Sequence, residues 1–476
     1  MPVRFPLPLR AGRALGENRA LRKSVTVTDG RARRLLATSV PGSREDFEKL
    51  LKRAAAPESR DFIVGLRRKL HENPELMYQE METSATVQAA LTELGVRFST
   101  GWGRNTRQDR IPGQGGTGVV AEIGPGGRDS GPCVALRADM DALPVEEHTS
   151  VPFKSKKQGL MHACGHDGHT AMLLGAARVL KEVEASGDWT HGGTVRLIFQ
   201  PAEEGGAGAK RMCEEGVLDQ EPKVQRCFGF HLWPTLGVGE IGGRPGTLLS
   251  SSDKFDLVIT GKGGHAAMPH LAVDPVVTSS LIITAAQTLI SRETSPLESS
   301  VVSFTKVEAG DAYNVIPNEV RLRGTLRSTT EEGLTRLRQR LLELVNHTCQ
   351  AHYCELTEHQ FAADYYPPTV NDPSLWSDFV EPVAGVASSS GRITEVPPTM
   401  GGEDFSFFAA RVPSAFLLLG QGDVAAAEAS TGASTPIDTT HSLHHPCFAI
   451  NEDVLVTGAA LHSHLALQSL KSLTVP

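Results

Sequence analysis

Apolar residues recur along this chain with two spacings, one typical of helices and one of buried strands. Helical spacing covers three segments, Arg44–Leu70, Thr83–Leu94 and Thr170–Val183. Short apolar runs lie among them at Gly118–Ile123, Cys133–Leu136 and Thr194–Phe199. Helices that alternate with short apolar runs predict an α/β unit around a buried sheet.

A second set of elements, between residues 252 and 364, has an order of its own. Strands are predicted at Phe255–Thr260, Val301–Val307, Glu319–Leu326 and Glu355–Phe361. Helices are predicted among them at Val276–Ser291 and Glu331–His352. The order βαββαβ predicts a small α+β unit, a sheet with two helices on one face, inserted into the larger domain.

The rest of the chain returns to the larger domain. Helices are predicted at Ser374–Val386 and Glu452–Leu465, and a strand at Phe416–Leu419. Gly422–Thr440 is rich in alanine, serine, threonine and glycine, which is the composition of a flexible insertion. We therefore expect a large domain formed by residues 44–251 and 365–476, with the inserted unit at residues 252–364.

Residues 1–43 differ in composition from everything that follows. They hold nine basic residues against two acidic ones, Glu17 and Asp29, and they lack the apolar core of a secretory signal. This composition is typical of a transit peptide and predicts import into an organelle, a plastid or a mitochondrion. Without import the protein would be cytoplasmic, and a disordered basic tail is the alternative interpretation of the segment.

The overall composition excludes several classes of protein. Of the 476 residues, 40% are hydrophobic and 21% are charged, as in an ordinary globular protein. The net charge of −8 argues against nucleic acid as a partner, and no apolar run is long enough to cross a membrane. The seven cysteines are scattered, which favours a reduced compartment over a disulfide framework.

The first candidate for chemistry is the segment His162–His169, which holds three imidazoles, one thiol and one carboxylate. Thiolate and imidazole bind borderline transition metals, and Cys164 and His166 are spaced to project from one short loop toward the same side. A metal site is therefore the first hypothesis. The alternative is a helix start in which Asp167 caps the first turn and the histidines are solvated.

Further polar side chains follow the predicted strands, at the edge where ligands bind in α/β sheets. Three successive strands are followed by Asp139 and Asp141, by Glu203 and Glu204, and by His231. Each has an ordinary interpretation, as a solvated loop charge or a hydrogen-bonded core histidine. Their coincidence at one edge, next to the Cys/His cluster, favours a functional site instead.

The motifs, taken in their order along the chain, resemble those of one known family. They are His71–Glu75, Arg137–Pro144, His162–His169, Gln200–Gly205, Gly263–Ala267, Asn314–Pro317 and Met400–Phe405. The set resembles the amidohydrolase branch of the dinuclear metallopeptidases, which includes hippurate hydrolase, N-acyl amino acid amidohydrolases and plant auxin-conjugate hydrolases. The resemblance implies a zinc-peptidase-like mixed sheet with flanking helices, and an inserted lid that also forms a homodimer.

The resemblance also implies two divalent metal ions per subunit, manganese or zinc, with cobalt or nickel as further candidates. Glu203 falls at the position of the family's general base. Asp139 and Asp141 fall where related peptidases keep a ligand histidine and an orienting aspartate. By position, the implied metal ligands are Cys164, His166, Glu204, His231 and His444.

The late histidines depart from the family pattern. The chain carries His441, His444 and His445 where relatives carry a single histidine motif. We assign the last metal ligand to His444, from its place after Leu443, and keep His445 as the rival. Tertiary contact alone can decide between them.

The resemblance assigns His265, after its glycine pair, to the active site of the partner subunit, where it would donate to the developing oxyanion. Asn314, Gly401 and Gly402 are candidates for holding the substrate. The neighbouring acids, Glu403 and Asp404, have the alternative interpretation of a simple helix start.

The implied activity is cleavage of the amide bond of a small N-acyl amino acid, such as an auxin, benzoyl or acetyl conjugate. A metal-activated water would be the nucleophile and Glu203 the general base. Two alternatives lie close by, a dipeptidase and a biosynthetic N-acetyl amino acid deacetylase. A third is a catalytically silent metal-binding regulatory homologue, although such a protein would have no use for an unliganded base beside a ligand.

Overall fold

The computed structural model describes residues 43–125, 131–425 and 432–474 of the chain. The predicted transit peptide lies outside these residues except for Ser43, whose hydroxyl accepts a hydrogen bond from the amide of Asp46 and caps the first helix. Among the described residues, none of the helices has the length and hydropathy that a membrane span requires.

Helices and strands alternate along the described chain. The helices are α1 (Arg44–Ala54), α2 (Pro57–Glu72), α3 (Met81–Glu93), α4 (His166–Ser186), α5 (Gly208–Glu214), α6 (Pro275–Ser291), α7 (Glu331–Ala351), α8 (Pro373–Leu375), α9 (Glu381–Gly385), α10 (Ser406–Ala409) and α11 (Asp453–Thr474). A 3-10 turn spans Pro269–Leu271, and a π-helical turn, Trp376–Val380, joins α8 to α9.

The strands are β1 (Arg97–Arg104), β2 (Gly115–Ile123), β3 (Cys133–Asp139), β4 (Thr194–Gln200), β5 (Val224–Gly237), β6 (Ile241–Gly243), β7 (Gly246–Leu249), β8 (Asp253–Thr260), β9 (Gly264–His265), β10 (Ser300–Ala309), β11 (Val315–Ile316), β12 (Glu319–Ser328), β13 (Glu355–Phe361), β14 (Thr369–Asn371), β15 (Thr394–Glu395) and β16 (Ser414–Gly422).

One mixed sheet organises the large domain, with the strand order β1-β2-β4-β3-β5-β16-β6-β15. The central strands β4, β3, β5 and β16 pair in parallel. Strands β1 and β2, β2 and β4, and β16 and β6 pair antiparallel. The predicted α/β fold with a mixed sheet is therefore confirmed, and the ends of its parallel strands meet at one edge.

Side chains on the two faces of this sheet belong to separate apolar cores. Val134, Leu136 and Ala138 of β3 lie in the core that α1 to α4 and α11 cover. Cys133 and Ala135 lie in the opposite core, which α5 and α10 cover. A strand buried on both faces explains why its apolar residues run without interruption.

The predicted inserted segment forms a second sheet, with its long strands in the antiparallel order β10-β12-β8-β13. One face of this sheet packs against α6 and α7, for example through Ile282 and Leu337. Helix α6 begins as predicted, because Asp274 accepts hydrogen bonds from the first amides and Pro275 occupies the first turn.

Parts of the prediction differ from the structure. Arg44–Leu70 is not one helix, because it breaks before Pro57, a residue that favours the first turn of a new helix. Strand β1 has no counterpart in the prediction, since Gly101 and Gly103 interrupt its alternation and produce irregular pairing. The strand predicted to end before His231 continues beyond it to the end of β5.

The predicted insertion at Gly422–Thr440 is closed at its base. The Thr439 hydroxyl donates to the carbonyl of Gln421 at 2.7 Å, and the Thr439 amide donates to the carbonyl of Asp423 at 2.9 Å. Residues 426–431 lie outside the described part of the chain. These bonds return the chain to the end of β16 just before the late histidines.

Candidate metal centre

The predicted site residues gather where the parallel strands β3 and β4 end. Glu203 and Glu204 follow β4, and Cys164 lies on the loop before α4. Gly165 has a φ of 92°, a left-handed conformation that glycine adopts readily, and it directs the chain into α4 at His166. The local sequence thereby positions two of the predicted ligands.

The interpretation of His162–His169 as a solvated helix start does not hold. Asp167 is buried, with one carboxylate oxygen 3.0 Å from Nε of Arg67 and 2.8 Å from Nδ1 of His71. Asp139 accepts from Nδ1 of His169 at 2.6 Å. These residues form a buried polar layer behind the Cys/His loop.

Three side chains bring donor atoms together in the protein interior. Cys164, His166 and His231 are buried, and their donor atoms lie within 4.8 Å of one another. The Cys164 sulfur is 3.4 Å from Nε2 of His231. Nδ1 of His166 donates to the main-chain carbonyl of Asp141 at 2.8 Å. Nδ1 of His231 donates to the main-chain carbonyl of Leu232, also at 2.8 Å. In this tautomer Nε2 of both rings carries the lone pair that a metal requires.

Glu204 joins a second donor group to the first. Nε2 of His444 lies 3.2 Å from a carboxylate oxygen of Glu204, and both residues group with Cys164 within 4.8 Å. The amide of His444 donates to the carbonyl of Ala163 at 2.8 Å. His444 has a φ of 66°, a left-handed conformation that is uncommon for histidine and that persists only where contacts hold it.

The rival histidine points elsewhere. His445 stacks on His441 with the ring centroids 4.5 Å apart, and its Nδ1 accepts a hydrogen bond from the amide of Cys447. Of the two candidates for the last ligand, the structure places His444 against Glu204.

The donor set fits divalent metal ions. Nε2 of His166 is buried without a hydrogen-bond partner, which is costly unless a cation occupies the space beside it. Burial and the neighbouring His169 hold the pKa of His231 well below its ordinary value, so this ring is neutral. Burial and the carboxylates of Glu204 and Glu203 raise the pKa of the Cys164 thiol, so a thiolate there needs a cation to offset its charge.

The adjacent glutamates have opposite properties. Burial, then the charges of Glu403 and Glu204, raise the pKa of Glu203 well above its ordinary value. Burial also opposes the ionisation of Glu204, but the hydrogen bond from His444 and the charge of His166 bring its pKa below the ordinary value. One carboxyl group is suited to accept and hold a proton, and the other to stay ionised beside a cation.

Asp141 holds the two glutamates in place. Its carboxylate accepts from the amide of Glu203 at 2.9 Å and from the amide of Glu204 at 3.0 Å. Ala202 and Ala207, on either side of this loop, both have a φ of 57°, so the backbone around it is strained. The loop geometry therefore depends on Asp141.

Glu403 and Asp404 do not form a simple helix start. Both are buried, and Nη2 of Arg137 lies 2.9 Å from a carboxylate oxygen of each. Nη1 of Arg137 lies 2.7 Å from Asp139. One buried guanidinium thus holds three carboxylates behind the site, and the amide of Asp404 donates to Glu203 at 3.3 Å.

A cleft of about 980 Å³ opens over the donor atoms, and Gly401 and Gly402 line it. Lys254 and Arg327 line it from the inserted unit. Within the described residues, neither cation has a carboxylate at ion-pair distance. Nη1 of Arg327 donates to the carbonyl of Met400 at 2.6 Å, next to the glycine pair.

His265 and Asn314 lie apart from this cleft. Strand β9 pairs with β11, which is distant in sequence, and this places His265 at an exposed position opposite Val315. Neither His265 nor Asn314 lines the cleft of its own chain. Their proposed roles at the site stay predictions.

Comparison with known proteins agrees with the metal site that the geometry indicates. The model of the family described as Peptidase family M20/M25/M40 matches residues 135–468, well over half of the chain. The chain belongs to this family. The predicted resemblance is confirmed, and like other members of the M20/M25/M40 family the protein is a hydrolase that acts on amide bonds.

Relatives within the M20/M25/M40 family are similar over nearly their whole length. IAA-amino acid hydrolase ILR1-like 2 of Arabidopsis thaliana is 44% identical over 425 residues, which cover 89% of this chain and 88% of the relative. N-acetyl-L-cysteine deacetylase of Bacillus subtilis is 36% identical, with 83% and 85% covered. A similar crystal structure is that of the Bacillus subtilis YXEP protein, a dinuclear metal binding peptidase from the M20 family. Its sequence is 31% identical, and the structures superpose with a TM-score of 0.67 over 88% of this chain and all of that one.

Three residues that line or support the site of this M20/M25/M40 chain were not predicted from its sequence, namely Arg137, Lys254 and Arg327. Arg137 stands inside a recognised motif, but its role depends on carboxylates that only the fold brings to it. Lys254 and Arg327 lie on the polar face of the second sheet, where Lys254 pairs with Thr325 rather than with an acid. This pairing depends on the strand register, which the sequence does not show, so no sequence signal singled out Lys254.

Proposed function

We propose that the protein is a metal-dependent amidohydrolase that releases an amino acid from an N-acyl amino acid. The observation that carries this proposal is the pair Glu203 and Glu204, in which Glu204 contacts His444, a predicted ligand, and the Glu203 carboxyl group contacts none of the predicted ligands. A binding or regulatory protein needs the first carboxylate but not the second.

Cys164, His166, Glu204, His231 and His444 would hold two divalent ions, manganese or zinc. When bound, the ions would polarise the amide carbonyl and make a water molecule acidic enough to attack at neutral pH. Thiolate and imidazole suit zinc, whereas the carboxylate-rich surroundings also suit manganese.

Glu203 would take the proton from the attacking water and deliver it to the leaving nitrogen. Its raised pKa favours this exchange, because the carboxyl group can carry the proton between the two steps. Asp404 would keep the carboxylate oriented through its amide.

The free carboxylate of the substrate would bind at the cleft wall opposite the metal centre. Lys254 and Arg327 supply positive charge there without an acidic partner among the described residues, and Gly401 and Gly402 leave room beside them. A negatively charged group is what this wall would attract.

His265 and Asn314 would serve the site of a partner subunit, in a homodimer formed through the inserted unit. Exposed apolar residues support such a contact, since Met268, Val277 and Leu281 are each more than 40% exposed on this unit. His265 would then donate to the developing oxyanion from outside its own chain.

Import into a plastid or mitochondrion is proposed from the basic composition of residues 1–43 alone. Fused to a fluorescent protein, this segment should carry it into the organelle. Diffuse cytoplasmic fluorescence would contradict the proposal.

The activity is tested by turnover of acetyl, benzoyl, long-chain and indole-acetyl amino acids by metal-stripped protein refilled with manganese or zinc. We expect metal-dependent release of the free amino acid, with the best acyl group separating auxin-conjugate, hippurate and deacetylase activities. Hydrolysis of dipeptides alone would favour a dipeptidase. No hydrolysis by protein that holds both ions would favour the regulatory alternative.

A further inference from the structure

A second group of potential metal ligands lies on the turn that carries His444. His441, His445 and Cys447 are each half-buried, and their donor atoms lie within 4.8 Å of one another. Among the described residues, none of the three contacts a donor atom of the catalytic centre. The two extra histidines of this turn are the residues that depart from the family pattern.

The arrangement of this second group is local and compact. The rings of His441 and His445 are stacked with an interplanar angle of 4°, so one ring must rotate before the in-plane lone pairs of both can reach one ion. Cys447 follows two residues later, with its sulfur 4.0 Å from the carbonyl oxygen of His148. The amide of His148 donates to the carbonyl of Pro446 at 2.8 Å, which fixes the turn to the rest of the domain.

Two imidazoles and one thiol are a ligand set for a borderline or soft transition metal rather than for magnesium or calcium. Three protein ligands leave the fourth tetrahedral position to water, which suits a partly exposed site. Nδ1 of His445 accepts the amide of Cys447, so ligation must replace this hydrogen bond. That exchange makes the site weaker than the buried centre.

We propose that His441, His445 and Cys447 form a separate site for one zinc-class ion. Binding at this site does not depend on the proposed hydrolysis, whereas its effect on turnover rests on the proposed function. It is made from side chains that the catalytic centre leaves unused.

Occupancy of this site would act on catalysis through the chain that connects the two centres. His444 lies between His441 and His445 in sequence, and its side chain contacts Glu204. An ion that ties His441 to His445 and Cys447 would restrain the strained backbone of His444. Zinc bound here would therefore change turnover without replacing an ion of the catalytic centre.

The site is tested by counting zinc per chain at equilibrium dialysis, in wild-type protein and in His441→Asn and Cys447→Ser. We expect each variant to bind about one ion fewer than the wild type. His359→Asn, at an exposed position outside the turn, is the matched control and should bind as many ions as the wild type. Because the result is a difference, it holds whatever number of ions the catalytic centre retains.

Cobalt substitution identifies the ligand directly. The thiolate-to-cobalt absorption band of the wild-type protein should lose intensity in Cys447→Ser but keep the part contributed by Cys164. Equal zinc counts in wild type and both variants, or a cobalt band unchanged by Cys447→Ser, would overturn the site. A loss of hydrolysis with the ion difference intact would count against the proposed function alone.

Discussion

Two neighbouring carboxyl groups can do different chemistry because their contacts differ. Glu204 has imidazoles beside it, whereas Glu203 faces other acids in the protein interior. The peptide amides of both residues are held by Asp141, so neither side chain can exchange position with the other. Two residues adjacent in sequence therefore lie in different electrostatic surroundings, as the proposed separate roles of ligand and base require.

Glu203→Gln should abolish turnover while leaving the metal content intact. The amide keeps the size of the side chain but cannot accept the proton of the attacking water, so we expect kcat to fall about 100- to 10,000-fold. Metal analysis and hydrolysis of the best substrate check this. Glu332→Gln, at an exposed helix start, is the control, and undiminished kcat in Glu203→Gln would remove this residue from the mechanism.

Lys254→Met should weaken substrate binding rather than the chemical step. Loss of a hydrogen bond to a charged group, worth about 1.5 kcal/mol, should raise KM about tenfold with kcat nearly unchanged. Lys306→Met is the matched control, because this lysine also lines the cleft but already pairs with Glu308 at 2.6 Å. An equal rise in KM for both variants would indicate that the total positive charge of the cleft, and not a specific contact with Lys254, attracts the substrate.

At the scale of elements, α11 buries two histidines that do not belong to the catalytic centre. His464 packs against Phe47 of α1, and neither of its ring nitrogens has a hydrogen-bond partner. Burial lowers the pKa of His464 to about 4 and that of His462 to about 3. Both rings are therefore neutral in the folded protein at pH values where an unfolded chain protonates them.

His464→Met should reduce the sensitivity of the protein to acid. Above pH 6.5, the ordinary pKa that His464 has in the unfolded chain, this group does not change the free energy of unfolding. As the pH falls from 6.5 toward about 4, the unfolded chain binds a proton at this histidine and the folded protein does not, so the free energy of unfolding decreases. The loss amounts to about 3 kcal/mol per buried histidine at the lower limit. Urea unfolding of metal-free protein at several pH values checks this, with the exposed His352→Met as control. Parallel pH curves for wild type and His464→Met would contradict it.

The order of helices and strands was predictable because strands buried on both faces keep continuous apolar runs. Edges of the sheet were less predictable, as β1 shows with its glycines and mixed polarity. The site was predictable as a list of residue types at strand ends. Two tertiary contacts could not be predicted from spacing: that of Arg137 with Glu403 and Asp404, and that of His444, rather than His445, with Glu204.

At the scale of the whole molecule, the inserted unit carries residues that its own cleft does not use. His265 and Asn314 are exposed at the β9–β11 pair, and neither lines the cleft. A second copy of the chain would give both a function and would cover apolar residues of α6 at the same time.

Coexpression of His265→Ala with Glu203→Gln tests this arrangement. Each variant alone should be nearly inactive. In a mixed dimer, one of the two sites combines an intact Glu203 with an intact His265 from the other chain. Because random pairing makes about half of the dimers mixed, about a quarter of all sites should recover. The fraction of dimer in solution is measured in parallel. Absence of recovery in a confirmed mixed dimer would show that His265 does not act across subunits.

The contact between Glu204 and His444 also has a consequence during synthesis of the chain. Cys164 and Glu204 are synthesised long before His444, and the whole inserted unit is synthesised in between. Because domains fold as they emerge, an unfinished chain presents an incomplete set of ligands and no closed cleft. With His444 as the proposed last ligand, the metal centre can be completed only in the last stretch of translation, so a prematurely terminated fragment is expected to be inactive.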